Sequence, residues 1–397
     1  MFDVIVVGAR CAGSPTAMLL AQKGYKVLLL DRATFPSDTI STQLIWQSGV
    51  SKLKRWGLLD KLIASNCPSI TKFTFDLGDR PISGWGTPVD GVSESYSPRR
   101  TVLDKILVDA AAEAGAELRE GFSVQEFVME GDRVTGIRGR TASGRTITEN
   151  AHIVVGADGR HSPLARAVNA PVYNDTPSLS CFYYTYWSGV SVDGYEDYWP
   201  GRHFMLTVPT NDDMVLLVMG WPYEQFHEIR RDIEANYMQA LDLVPQLSER
   251  VRAGRREERF LGSADLSNFF RKPYGPGWAL VGDAGYSKDP ITAFGISDSF
   301  RDAELLADAI DDGLSGRRPY VDAMADYERN RNEAAAPLYQ LTLNAARYNQ
   351  HTPNALQLRT ALHGRADIDN YIGVITGSIA IDEFFNEQNI QRILSGA

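Results

Sequence analysis

Three aspartates, Asp31, Asp158 and Asp283, each stand at or just past the end of a short apolar run with a glycine close by. An acid at a strand end points its carboxylate out of the sheet, where it can accept hydrogen bonds from sugar hydroxyls. The first is tied to the stretch Asp3-Val-Ile-Val-Val-Gly-Ala-Arg-Cys-Ala-Gly-Ser-Pro. Gly8 lets the chain turn tightly, and Gly13 lets a following helix lie close to the strand. The helix N-terminus then offers free N–H groups and partial positive charge to a pyrophosphate. Asp31, a little over twenty residues after the first glycine, can accept from an adenosine ribose. Arg10 takes the middle position of the G-x-G-x-x-G pattern, where backbone ordinarily approaches phosphate. The chemistry indicated is dinucleotide binding; a strand–turn–helix without a ligand is the alternative on this stretch alone.

The second constellation is Val154-Val-Gly-Ala-Asp-Gly-Arg-His-Ser-Pro-Leu-Ala-Arg, in which a buried strand runs into Asp158-Gly159. On its own, Asp-Gly after a strand is often just a turn. The third is Trp278-Ala-Leu-Val-Gly-Asp-Ala-Gly-Tyr, followed by Pro290 and by Gly295 at a helix start. Asp283 there faces a sugar-like hydroxyl. The helix N-terminus near Gly295 suits a delocalised anion, of the kind a reduced flavin carries.

These motifs need elements to hold them. Residues 4–7 and 27–30 read as buried parallel strands around a helix at 12–23, a βαβ unit. Residues 43–62 read as one helix, 69–97 as short antiparallel strands, and 101–114 as a helix. Strands are expected at 116–118 and 124–130, then a hairpin through 134–147 and a strand at 151–159. Residues 178–221 are rich in β-formers, with three strands at 181–187, 203–208 and 214–219. Helices follow at 223–253, 297–311, 320–348 and from 353 onward, with a short strand at 278–281.

The order of the three motifs resembles that of the p-hydroxybenzoate-hydroxylase-like FAD oxidoreductases, over about residues 1–345. That superfamily includes aromatic monooxygenases, geranylgeranyl reductases and flavin-dependent halogenases. The resemblance implies an α/β fold: a Rossmann-like FAD-binding domain from residues 1–70, 98–170 and 270–345, interleaved with a β-sheet substrate domain from 71–97 and 171–269. A helical C-terminal segment, 346–397, lies outside it. It further implies FAD contacts from Gly8, Arg10, Gly13, Asp31, Arg32, Arg100, Asp158, Gly159, Gly282, Asp283, Pro290, Ala293, Gly295 and Ile296. Asp283 would touch the ribityl chain in a buried site, and Asp31 would be more solvent-screened. Asp158, Gly159, Ser162 and Arg166 match the motif that in hydroxylases also serves transient NAD(P)H. Arg10 for Gly, Tyr286 for the usual His and Ala293 for a usual Gly are departures.

The activity implied is NAD(P)H-dependent monooxygenation of a small aromatic or apolar substrate with molecular oxygen. The alternatives are a reductase or dehydrogenase acting on carbon–carbon bonds, a halogenase, and a non-catalytic FAD-binding protein. The halogenase motif Trp-x-Trp-x-Ile-Pro is absent; Trp221-Pro-Tyr is the nearest stretch. Tyr184, Tyr186, His203 and Trp221 are candidate pocket residues, since aromatic side chains could line a site for a flat substrate. Gln43 is the polar candidate for the flavin face.

Composition narrows the classes. Net charge is −10 with no basic stripe, which argues against nucleic acid. Three distant cysteines and scattered histidines offer no disulfide framework and no metal-ligand spacing. No apolar run reaches membrane-spanning length. The chain opens on a core strand, leaving no room for a signal peptide, so a cytoplasmic location is expected.

Overall fold

In the computed structural model, which describes residues 1–78, 81–349 and 352–395, the first apolar run lies in the Phe2–Val7 strand. Val27–Leu30 pairs with it in parallel on one side, and the second half of Thr146–Gly156 on the other. Glu117–Arg119 and Trp278–Leu280 extend this parallel sheet outward. Its β-branched and leucine runs are buried because both faces are covered. The helices Gly13–Gln22, Arg100–Glu113 and Gly295–Leu314 supply one cover, packing Ala17, Leu103, Leu107 and Phe300 against Val4, Val6 and Leu29. The antiparallel strands Ser123–Glu130 and Arg133–Arg140 supply the other, where Phe127, Val134 and Ile137 meet Ile5, Leu28 and Val154. The chain leaves Phe2–Val7 for one side of the sheet and returns later on the other. That reversal opens a crevice at the strand C-termini, the usual ligand position in such sheets.

A second, mainly antiparallel sheet runs in the order Arg255–Arg256, Ser180–Ser188, Met214–Pro222, Phe204–Thr210, Tyr195–Tyr198, Lys72–Asp76, Ile82–Trp85. Strand alternation gives it two different faces. Cys181, Tyr183, Met219 and Trp221 pack under the helices Ile233–Leu241 and Pro245–Ala253. Phe182, Tyr184, Tyr186, Leu216 and Val218 face the other way, toward Trp46, Ile291 and Phe294.

Local differences from the sequence reading have tertiary causes. The helix expected at 43–62 starts only at Gln47, because Ile45 is drawn into a bridge with Tyr96. It breaks after Arg55, and Gly57 (φ 72°) turns the chain before Leu59–Ala64. The stretch 223–253 is interrupted, with Asp232 capping one helix through Ala235 N (3.0 Å) and Pro245 opening the next. Tyr195–Tyr198 was not expected as a strand. Its Glu196 is satisfied by Arg250 at 2.7 Å, which lets an acid occupy a sheet. The C-terminal region is helical, from Pro353–Leu362 to Glu387–Ser395. No helix among the described residues is long and apolar enough to cross a membrane.

Candidate functional site

A cleft of about 920 Å³ opens at the crevice and runs on to the second sheet. Gly8 takes φ 104°, and a Cβ there would lie 2.3 Å from the Ala157 carbonyl oxygen. A Cβ on Gly13 would lie 1.7 Å from the Gly8 carbonyl oxygen, so helix and strand touch where only glycine fits. The Gly13–Gln22 helix starts without a side-chain cap and without an acid in its first turn, which keeps its N-terminal field positive.

Asp31 is buried. Its Oδ2 accepts from Ala9 N and its Oδ1 from Ala33 N, both at 2.8 Å. The expectation that it is the more solvent-screened acid is therefore reversed, since Asp283 is the one left open to the cleft. The cause is that two amides, one in the turn after the first strand and one in the loop after the second, need an acceptor. Arg32 lines the cleft beside it.

Arg10 swings out of the glycine turn. Its guanidinium lies over the Phe35 ring (5.3 Å), donates to Ser37 Oγ (2.9 Å) and pairs with Asp104. Asp104 is shared with Arg100, whose Nη2 is 2.8 Å from Oδ1. Two guanidiniums thus share one carboxylate in the cleft wall, with Asp38 nearby. Cys11, beside them, has its thiol pushed up to about 12 by burial, so it is no nucleophile at neutral pH.

Asp158 and Gly159 line the opposite lip. Asp158 Oδ1 is buried with no hydrogen-bond partner, and burial raises the carboxyl above its usual range. Ser162, read as part of this motif, is the cap of Pro163–Ala167, accepting from Ala165 N at 3.0 Å. Arg160, His161 and Arg166 border the mouth.

The third motif forms the floor. Gly282 (φ 60°) would place a Cβ 2.7 Å from Ala12 Cβ, so the chain turns there against the first motif. The protein around Asp283 raises its carboxyl, while Lys288, Arg160 and Arg100 pull the other way. Pro290, Gly295 and Ile296 line the cleft; Ala293, left-handed at φ 56°, is buried behind them. Burial would raise the Asp298 carboxyl, but Arg301 and Lys288 hold it below its usual value. The acid in the first turn of Gly295–Leu314 is thus neutralised.

Asp289 borders the cleft almost fully buried, accepting from Ser180 Oγ (2.5 Å) and Ile291 N (3.1 Å). Burial raises it from 3.8 to about 7 against those hydrogen bonds. A carboxyl raised on folding stabilises fully below its unfolded value and loses that contribution as pH climbs through the folded one. Urea unfolding should show wild type losing stability between pH 4 and about 7 relative to Asp289→Asn, in which that slope is absent.

Of the pocket candidates, Tyr184 lines the cleft, with Phe182, Val218 and Leu266. Tyr186 shares its face but is taken up by Gln43 Nε2 and by Arg99, 4.0 Å over its ring. Gln43 is fully buried in a left-handed turn and does not border the cleft. Trp221 is corrected. Registered opposite Cys181, it lies on the helix-covered face, one residue out of phase with Val218. His203 is corrected too. It precedes the Phe204–Thr210 strand, and its Nδ1 is 3.2 Å from the Pro200 carbonyl oxygen, away from the cleft. Lys288, Asp289 and the loop at 39–42 went unrecognised. Lys288 and Asp289 stood inside the third motif, whereas the loop carried no periodic signal.

Among the described residues no cluster could hold a metal ion, and Cys11, Cys67 and Cys181 are free and buried.

The FAD binding domain family matches residues 1–342, and the chain belongs to that family of FAD-dependent oxidoreductases. It is 24% identical to digeranylgeranylglycerophospholipid reductase of Methanothrix thermoacetophila, over 84% of this chain and 83% of the relative. The myxobacterial chondrochloren halogenase CndH superposes with a TM-score of 0.80 at 22% identity, covering 100% of this chain and 97% of that one. PqsL of Pseudomonas aeruginosa, described as a probable FAD-dependent monooxygenase, gives 0.72 at 19%, covering 94% and 99%. FAD fits the residues present. The glycines bring the helix start hard against the strand end, that start carries no side-chain cap, and Asp158 Oδ1 is buried without a hydrogen-bond partner.

Proposed function

We propose that the protein is an NAD(P)H-dependent FAD monooxygenase of the cytoplasm, acting on a small aromatic or apolar substrate. The observation behind this reading is the single cleft that passes Asp31, Asp158 and Asp283 and ends on the aromatic wall of Phe182 and Tyr184. Residues 1–70, 98–170 and 270–345 would hold the cofactor, and 71–97 with 171–269 the substrate. Asp31 would accept from the adenosine ribose and Asp283 from the ribityl hydroxyls. Arg100, Asp158, Gly159, Pro290, Gly295 and Ile296 would line the remainder. FAD supplies the redox chemistry. The N–H groups at Gly295 would stabilise the negative charge that reduction brings. Phe182, Tyr184, Val218 and Leu266 would keep water from the reacting carbon, so that oxygen reaches it rather than escaping as hydrogen peroxide. Arg160 and Arg166 at the mouth suit a transient phosphate-bearing reductant.

A reductase acting on carbon–carbon bonds is the second reading, motivated by the match to the digeranylgeranylglycerophospholipid reductase. The deciding experiment reduces the protein anaerobically, adds the ligand that best stimulates NAD(P)H oxidation, and admits isotopically labelled oxygen. One labelled atom in the product is expected. Conversion without oxygen would favour the reductase, and product that gains halogen only when halide is supplied would favour a halogenase.

A further inference from the structure

The C-terminal helices reach the cleft loop from behind. Ile372, on the Asp367–Ile375 helix, is fully buried in the cluster that holds Trp46, Ala293 and Phe294. Just past that helix stands Gly377 (φ 72°), where an added Cβ would lie 2.6 Å from the Phe294 ring. The ring fills the space a side chain would need. Phe294 is the residue that leads into Gly295–Leu314, and it follows the left-handed Ala293. An L residue in that region is strained and persists only where its surroundings hold it. Trp46 holds the loop from one side, at 5.4 Å between its ring and that of Phe294, and its Nε1 donates to the Thr292 carbonyl at 3.2 Å. The C-terminal helix holds it from the other. That helix is docked on the edge strand Ile82–Trp85, where Trp85 N donates to Asp369 Oδ1 at 2.9 Å and a Cβ on Gly84 would lie 2.9 Å from Ile372.

We propose that the C-terminal segment, through Ile372 and Gly377, is a positioning element that sets where the N-terminus of the Gly295–Leu314 helix stands against the flavin. The inference rests on the FAD reading above. It makes the tail part of the cofactor's electrostatic environment, since those N–H groups favour the anionic, reduced form.

The test compares holoenzyme variants within the same tail. Ile393 is as buried as Ile372 but belongs to a separate cluster with Leu358, Leu362 and Phe384. Ile372→Ala and Ile393→Ala should both lower thermal stability. Only Ile372→Ala should alter the flavin, reducing its preference for the reduced state about two- to five-fold in a redox titration and changing its visible absorption band. Phe294→Leu should act in the same direction, and the double variant Ile372→Ala/Phe294→Leu should add little, as for residues coupled within one packed cluster. An Ile372→Ala holoenzyme that loses stability but keeps the wild-type potential and spectrum would overturn the proposal. So would an equal flavin shift from Ile393→Ala. Should Ile372→Ala fail to fold, Ile372→Val is read by the same two measurements and the same criteria. A wild type that takes up no FAD would overturn the functional reading itself, whereas one that binds FAD with an unresponsive Ile372 overturns only the role of the tail.

Discussion

Asp283→Ala is expected to weaken FAD binding about 10- to 150-fold, the loss of one hydrogen bond to a charged group worth about 1.5–3 kcal/mol. The side chain is aimed by its backbone. Gly282 turns at φ 60° against Ala12, which leaves the Asp283 carboxylate open to the cleft. Desolvation by its surroundings raises the carboxyl, and Lys288, Arg160 and Arg100 act against that rise. Asp31 differs, because both of its oxygens already hold backbone amides. Asp31→Ala should therefore cost about 1–3 kcal/mol of folding stability and a smaller share of FAD affinity. Fluorescence titration of FAD into each apo-variant, paired with urea unfolding, separates the two effects. Wild-type FAD affinity in Asp283→Ala would refute the placement of that acid.

The largest stability change is expected at Asp104, where substitution by alanine should cost about 3–5 kcal/mol, as when one partner of a buried ion pair is removed. The carboxylate has no exposure and stands one helical turn after Arg100. It accepts from Arg100 Nε at 3.1 Å and Nη2 at 2.8 Å, from Arg10 Nη1, and from Cys11 Sγ at 3.5 Å. Alanine would leave two guanidiniums in the cleft wall without the carboxylate they share, with only the more distant Asp38 to balance them. Arg100 has little else to turn to, since it is itself buried. Asp104→Asn keeps an acceptor and should fall between wild type and alanine. Urea unfolding curves of the three proteins give the comparison. A change below about 0.5 kcal/mol for alanine, the range of ordinary surface substitutions, would show that the triad carries no such energy.

Two members of that triad were readable in advance. Arg100 and Asp104 are four apart on an evident helix, a spacing that brings side chains together. Arg10 is more than ninety residues away, and only the packing of Gly13–Gln22 beside Arg100–Glu113 makes it the second partner. The pocket divides in the same way. Alternation along residues 181–187 says that neighbouring aromatics face opposite ways, but not which face is the open one. Pairing Cys181 with Trp221 decided that, burying Trp221 under helices and leaving Tyr184 toward the cleft. Gln43 is expected near the flavin from its position after the second strand, yet its amide N–H goes to Tyr186 and it does not border the cleft.

The sequence by itself determined the parallel sheet, the order of the three motifs and hence the family. Those signals are local: a β-branched run, a glycine where no Cβ fits, an acid at a strand end, each imposed by backbone sterics within a few residues. Only the tertiary structure decided which acid is buried, which aromatic face is open, and that the C-terminal helices press on Phe294. Those depend on register and on contacts between segments far apart in the chain, whose energies no short stretch of sequence contains.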